Sequence, residues 1–272
     1  MALPRDIVLV RHGQSEANVI QKQIKADEGF EPPEAFFDRH DSQMQLTPLG
    51  IEQAQAAGGW LAQHFPNNFD HHWVSSLTRT VQTAGHLALH GDWRIEDLLR
   101  ERDWGEFGMQ SGEQQRTQYE SSYRLREQNK WYWCPAGGES LGTGVRLRWE
   151  RILNTMHRQM EGQTFIGVTH GETIEVGRVI LERLLIPEWL SQEKDEGYKL
   201  SNAQILHYSR VNPVTGELGR QIEWRRSICP WDESKSWANG EWVRLDVNRR
   251  FSDEQLLAMA AIHEPLLGDT TS

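Results

Sequence analysis

The chain has 272 residues and a formal net charge of −10, with 29 Lys and Arg against 39 Asp and Glu, 38% hydrophobic residues and 25% charged ones. This mixture excludes collagen-like, low-complexity and wholly disordered chains, and it argues against binding of nucleic acid or an acidic membrane by bulk charge. An anionic ligand has to find a local positive site.

From the N-terminus, the first apolar run is only the IVLV of residues 7–10 before Arg11, far short of a signal-peptide core. No later run approaches the roughly 20 residues that cross a bilayer. The two cysteines, Cys134 and Cys229, form no CxxC or Cys/His pattern and are too few for a disulfide framework. A cytoplasmic protein is expected. The IVLV run, the HWVSS around Trp73 and the TFIGVT of residues 164–169 each predict a buried strand.

Helical patterns lie between these runs. Thr47 is a candidate N-cap with Pro48 at the first helical position, followed by Ile51, Ala54, Leu61 and Phe65 at helical spacing. Ser140 opens a second pattern through Val145, Trp149, Ile152 and Met156. A third follows His170 through Ile174, Gly177, Leu181 and Leu184, with Pro187 near its end. Strands alternating with helices predict βαβ units and a mainly parallel sheet with helices on both faces.

Residues 21–45, with Pro32 and Pro33, show no clean period and predict a surface excursion or lid. Residues 112–130 are polar and helix-prone, and lead into an aromatic turn closed by Gly137 and Gly138. AQILHYSR and RQIEWRR around VNPVTGEL predict a β-hairpin. The expected organisation is one domain over residues 1–272, with residues 200–272 adding a hairpin and a helix.

In open parallel sheets, ligands bind beyond the carboxyl ends of the strands. Arg11, His12 and Gly13 follow the first run, Arg79 follows the second, and His170 and Gly171 follow the third. Together with helix N-termini these make an anion pocket. Two histidines point to more than charge, because a neutral imidazole is a nucleophile, and flanking Arg side chains favour the neutral form of His12. Guanidinium forks match a phosphoryl group. An alkoxide leaving group needs an acid, and Glu101 is the candidate.

Other features have simpler readings. His86 and His90 are four apart, but spacing supplies no third ligand for zinc, so no metal is expected. His71 and His72 alternate across a strand and cannot face one ligand. The twelve tryptophans could suggest base stacking, but the acidic charge favours packing, with Trp104 as a candidate pocket wall.

RHGQSEAN, SSLTRTVQTA, RERDWGEF, GGES and VTHGET, in this order over residues 5–175, resemble the histidine phosphatase superfamily, which includes the cofactor-dependent phosphoglycerate mutases. The resemblance implies the mutase-like three-layer α/β sandwich. It also implies that His12 is phosphorylated, that Arg11, Asn18, Arg79 and His170 bind the phosphoryl group, and that Glu101 acts as acid and then base. Where the mutases carry ERHYG, this chain has ERDWG, with Asp103 and Trp104 in place of His and Tyr, which resembles the phosphatase branch. The expected activity is hydrolysis of a small phosphomonoester without cofactor. The alternatives are mutase-type phosphoryl transfer and a non-catalytic domain that binds phosphorylated ligands.

Overall fold

The computed structural model describes residues 2–27, 29–108, 110 and 112–262. In chain order its first half runs β1 (Asp6–Arg11), α1 (Glu16–Ala26), α2 (Glu34–Phe37), α3 (Pro48–His64), β2 (His71–Val74), α4 (Thr78–His86) and β3 (Trp93–Ile95). After α5 (Gly112–Gln118) and α6 (Glu120–Gln128) come α7 (Arg146–Gln159), β4 (Thr164–Thr169), α8 (Gly171–Leu181) and α9 (Ile186–Glu193). The chain then forms β5 (Ile205–Ser209), β6 (Trp224–Ile228), β7 (Val243–Arg244) and α10 (Asp253–Ala260).

The strands form one sheet in the order β3-β2-β4-β1-β5-β6-β7. β3, β2, β4 and β1 are parallel, and β5 to β7 continue the sheet antiparallel. The central strands β1 and β4 are buried on both faces, which is why both read as continuous apolar runs. Alternation along β1 separates the core in two. Ile7 and Leu9 face a layer with Trp149, Ile152, Ile174 and Val176 from α7 and α8, while Val8 and Val10 face Ala57, Leu61 and Ala84 from α3 and α4. The sheet thus has helices on both faces, as expected. The first layer also takes Trp73, Trp131, Trp189 and Trp237, so much of the tryptophan content is core. Trp149 Nε1 donates to Thr173 O at 2.6 Å, and a Cβ on Gly177 would lie 2.5 Å from that indole, so α8 can seat the ring only with glycine there.

Thr47 caps α3 through the Gly50 N–H at 3.1 Å, with Pro48 opening the helix as its spacing predicts. Ser140 accepts from Thr143 N–H and opens a wide first turn, Leu141–Val145, that passes into α7. Pro187 differs from expectation. α8 stops at Leu181, Arg183 takes φ 53°, and Pro187 lies in the first turn of the next helix, α9, where its missing N–H costs nothing. The hairpin is present as β5 and β6, but it is no peripheral addition: β5 pairs with β1 along residues 6–10 and forms the centre of the sheet with it.

Residues 21–45 also hold more structure than their pattern suggests. α1 runs on to Ala26, and Phe36 and Met44 pack with Ala17 and Ile20 in a small separate core. Among the described residues no helix is long and apolar enough to cross a membrane.

Candidate active site

β1, β2 and β4 end side by side, and each delivers a polar side chain just past its last strand bond. His12 N–H donates to Thr169 O at 3.0 Å, and its carbonyl accepts from Ala203 N–H and Asn202 Nδ2, both at 3.1 Å. These bonds fix the first residue after β1 on both sides. The His12 ring is buried, and Nδ1 lies 2.7 Å from Gly13 O. A carbonyl can only accept, so Nδ1 carries the proton and the Nε2 lone pair is left for a ligand. Burial, then the charges of Arg79 and Arg11, hold the His12 pKa well below the ordinary imidazole value. The ring is neutral and nucleophilic at pH 7.

His170 stands at the N-terminus of α8, its ring centroid 5.1 Å from that of His12 and edge-on to it. Its Nε2 meets Ser75 Oγ at 2.8 Å, while Nδ1 is buried without a protein partner. Its pKa is depressed in the same way, by burial first and then by Arg79, His12 and Arg11. Ser75 follows β2 directly. The sequence places it at a strand end, but serine there carries no chemical signature of its own.

Two arginines flank the imidazoles. Arg11 donates through Nη1 to Leu200 O, and its Nε is buried without a partner. A Cβ built on Gly171 would lie 3.6 Å from Arg11 Nε and 4.0 Å from Glu101 Oε2, so Arg11, Glu101 and the first turn of α8 meet there. Arg79, in the first turn of α4, is nearly buried, and its outer end is held by Asp41. Asn18 belongs to the α1 capping box. Its Oδ1 accepts from Ser15 N–H at 3.2 Å and from Asn202 Nδ2 at 3.0 Å, so its own amide N–H groups are left to donate elsewhere. The unpartnered Nδ1 of His170 and Nε of Arg11 are what a concave anion site would leave open.

Glu101 lies on a segment whose carbonyls are tied one after another. Arg148 Nη1 donates to Leu98 O at 2.7 Å and Arg100 O at 2.8 Å, Thr169 Oγ1 donates to Leu99 O, and Thr173 Oγ1 donates to Arg100 O at 2.7 Å. The buried Arg148 is itself held by Glu139 of the GGES motif, with Nε at 3.2 Å and Nη2 at 3.0 Å from the carboxylate. The Glu101 carboxylate accepts from Arg102 N–H at 3.0 Å. Loop residues with this many fixed carbonyls keep their side chains in place without any ligand.

Six predicted residues thus come together beyond the strand ends: His12, His170, Arg11, Arg79 and Glu101 lie beside one another, and Asn18 joins them through Asn202. Several neighbours escaped sequence reading. Glu172, directly after the second His-Gly pair, has a buried Oε2 without a partner and sits 3.5 Å from Arg102 Nη1. Burial pushes its pKa up to about 7, with Glu101 adding to the rise and Arg102 opposing it. Arg102 packs against the mutually tilted indoles of Trp104 at 4.8 Å and Trp133 at 4.9 Å, so Trp104 borders the acid segment through Arg102. Among the described residues no group of three or more His, Cys, Asp or Glu side chains is placed to hold a metal ion.

The family model of the histidine phosphatase superfamily (branch 1) matches residues 7–209. The 2,3-bisphosphoglycerate-dependent phosphoglycerate mutase of Methylorubrum extorquens strain PA1 is 28% identical over 204 residues, covering 73% of this chain and 89% of the mutase. Among solved structures, the mycobacterial glucosyl-3-phosphoglycerate phosphatase superposes with a TM-score of 0.57 at 23% identity, over 75% of this chain and 91% of that one. The alpha-ribazole phosphatase of Shigella flexneri does so with a TM-score of 0.58 at 18% identity, over 80% of this chain and 96% of that one. These two likenesses concern the fold.

Proposed function

The chain belongs to the histidine phosphatase superfamily, a family of enzymes, and on that footing we propose that it is a phosphomonoester hydrolase working through a phosphohistidine. The observation that carries this reading is the neutral, buried His12, with Nδ1–H spent on Gly13 O and two guanidinium groups acting on the same ring.

In the proposed reaction Nε2 of His12 attacks phosphorus, the bond from phosphorus to the substrate's ester oxygen breaks, and Glu101 protonates the departing oxygen. Arg11, Arg79, His170 and Asn18 bind the non-bridging oxygens, whose charge grows in the transition state. Glu101, now ionised, takes a proton from water, which attacks phosphorus and releases orthophosphate and free His12. The Nδ1–H bond to Gly13 O supports a cationic phosphoimidazole, because the proton stays on Nδ1 throughout. Uncatalysed monoester hydrolysis calls for accelerations of up to about 10²¹-fold, and a buried cationic site suits that demand.

Phosphoryl transfer of the mutase kind is the second reading, favoured by the likeness to the Methylorubrum enzyme. It differs in returning the phosphoryl group to bound substrate instead of water. Against it stand Asp103 and Trp104 in the acid segment, where the mutases have His and Tyr.

The test is a panel of phosphorylated metabolites and p-nitrophenyl phosphate, scored for released phosphate with wild type and His12→Ala. Hydrolysis that disappears in the variant supports the reading. Interconversion of phosphoglycerates without phosphate release transfers it to the mutase side, and binding without turnover refutes both.

A further inference from the structure

The segment before α3 carries a group that the proposed reaction does not use. At the turn Asp41–Gln43, the Asp41 carboxylate grips the outer end of Arg79: Nη1 donates to Oδ1 at 3.2 Å and to Asp41 O at 2.8 Å, and Nη2 donates to Oδ2 at 2.9 Å. A guanidinium has five N–H groups in a rigid fork. Three are engaged here, and those left, Nε–H and the second Nη2–H, lie parallel along one edge. That edge is the one suited to two oxygens of a phosphoryl group.

The turn is held in place without help from this ion pair. Met44 is buried with Phe36 and Ala17, Gln45 O accepts from Glu16 N–H at 2.9 Å, and Gln45 N–H donates to Glu16 Oε2 at 3.0 Å. Leu46 N–H donates at 2.7 Å to the side chain of Gln82, one turn beyond Arg79 on α4. The carboxylate is therefore delivered to Arg79 by packing against α1 and α4. The Arg79 side chain is 5% exposed and Asp41 41%, so the acid closes the solvent side of a cation whose inner neighbours are the two histidines.

We propose that Asp41 is a positioning residue, which clamps Arg79 by its far end so that the free Nε edge meets the phosphoryl group. The proposal rests on the assignment of Arg79 as a phosphoryl ligand. A fork anchored at one end loses less freedom on binding, and it is aimed before substrate arrives. The opposite idea, an acid that occupies the pocket until displaced, predicts the reverse result on removal.

The test compares wild type, Asp41→Ala, Asp41→Glu, Arg79→Lys and the Asp41→Ala/Arg79→Lys double variant. The readouts are kcat and KM for p-nitrophenyl phosphate and inhibition by orthovanadate. Asp41→Asn, which keeps the size and removes the charge, replaces the alanine variant if that one does not fold. Asp41→Ala is expected to lower kcat about tenfold to a hundredfold and to weaken vanadate inhibition similarly, as for a misaimed catalytic group. Asp41→Glu recovers part of the loss. In the Arg79→Lys background, where no fork remains to aim, Asp41→Ala costs nothing further. Equal or higher activity in Asp41→Ala overturns the proposal, as does an undiminished loss when Asp41→Ala is added to Arg79→Lys. If Arg79→Lys itself leaves kcat, KM and vanadate inhibition unchanged, the assignment of Arg79 fails and the role of Asp41 falls with it. An impaired Arg79→Lys beside an unimpaired Asp41→Ala refutes the clamp alone.

Discussion

Arg148→Met tests whether the acid is aimed by the segment that carries it. The Arg148 side chain is 7% exposed and Glu139 16%, so their ion pair is largely shielded from water. Removing the guanidinium leaves Glu139 with Arg100 at 2.7 Å and Asp103 N–H at 3.1 Å, so its charge is not wholly abandoned. Arg100 O keeps Thr173 Oγ1, but Leu98 O loses its Arg148 donor. One orphaned carbonyl costs about 1–3 kcal/mol. Breaking a buried ion pair costs about 3–5 kcal/mol, and the surviving partners of Glu139 place this case at or below the lower end. A total of about 4 kcal/mol corresponds to a fall in Tm on the order of 10 °C for a chain of this size. Loosening residues 98–101 also displaces the Glu101 carboxylate, and kcat should fall about tenfold to a hundredfold. Arg148→Lys should rescue little, because an ammonium cannot fork between two carbonyls and a carboxylate. Thermal unfolding beside steady-state kinetics is the assay. A variant that unfolds within about 2 °C of wild type, with unchanged kcat, would show that Arg148 does not hold the acid segment.

Glu101→Gln should slow alkyl phosphates by about 10²–10⁴, yet give a burst of p-nitrophenol from p-nitrophenyl phosphate, whose leaving group departs without an acid; a uniform loss with no burst would remove Glu101 from the acid role. Glu172, raised by burial to about 7, destabilises the fold as pH climbs from its ordinary value near 4.5 through 7. Glu172→Gln should therefore raise stability at pH 8 by on the order of 2 kcal/mol relative to wild type and bring little or nothing at pH 4, as denaturant titrations at the two values would show. His12 and His170 have depressed pKa values, so the unfolded chain binds more protons than the native one below about pH 6.5. The stability they permit is present above that pH and falls on acidification, by about 1.4 kcal/mol per pH unit for each ring. His12→Ala should lower that slope by one proton, and an unchanged slope would mean that the ring is already charged in the native state.

The parts of this molecule that could be read from its sequence are those with a local pattern. β1 and β4 are apolar runs because both faces are covered, and Thr47-Pro48 marks the start of α3 by chemistry that operates within four residues. His12, Arg79 and His170 could be placed because each follows a strand and strand ends converge in a parallel sheet. Pro187 opens α9 and does not close α8, a difference the sequence hides because a proline near the end of one helix and a proline opening the next look the same without the left-handed turn at Arg183 between them. β5 reads as half of a hairpin, and its pairing with β1 across some two hundred residues leaves no local trace. The same holds for Asp41, Asn202 and Ser75, whose partners are distant in sequence. Arg148 and Glu139 show in the sequence only as a helix residue and a motif letter, since Arg148 works on carbonyl oxygens, which every residue has, and Glu139 on guanidinium groups distant in sequence. Glu172 was in view within VTHGET, but only burial distinguishes it from any other acid in a first helical turn.

The proposed reaction attaches phosphorus covalently to His12. Enzyme mixed with a turnover substrate and quenched in denaturing base preserves a phosphoimidazole, and peptide mass spectrometry then locates the added phosphoryl group. A single modification on the His12 peptide, lost on mild acid treatment and absent from His12→Ala, is the predicted result. Phosphate release at full rate from His12→Ala, or a phosphoryl group found on another residue, would contradict it.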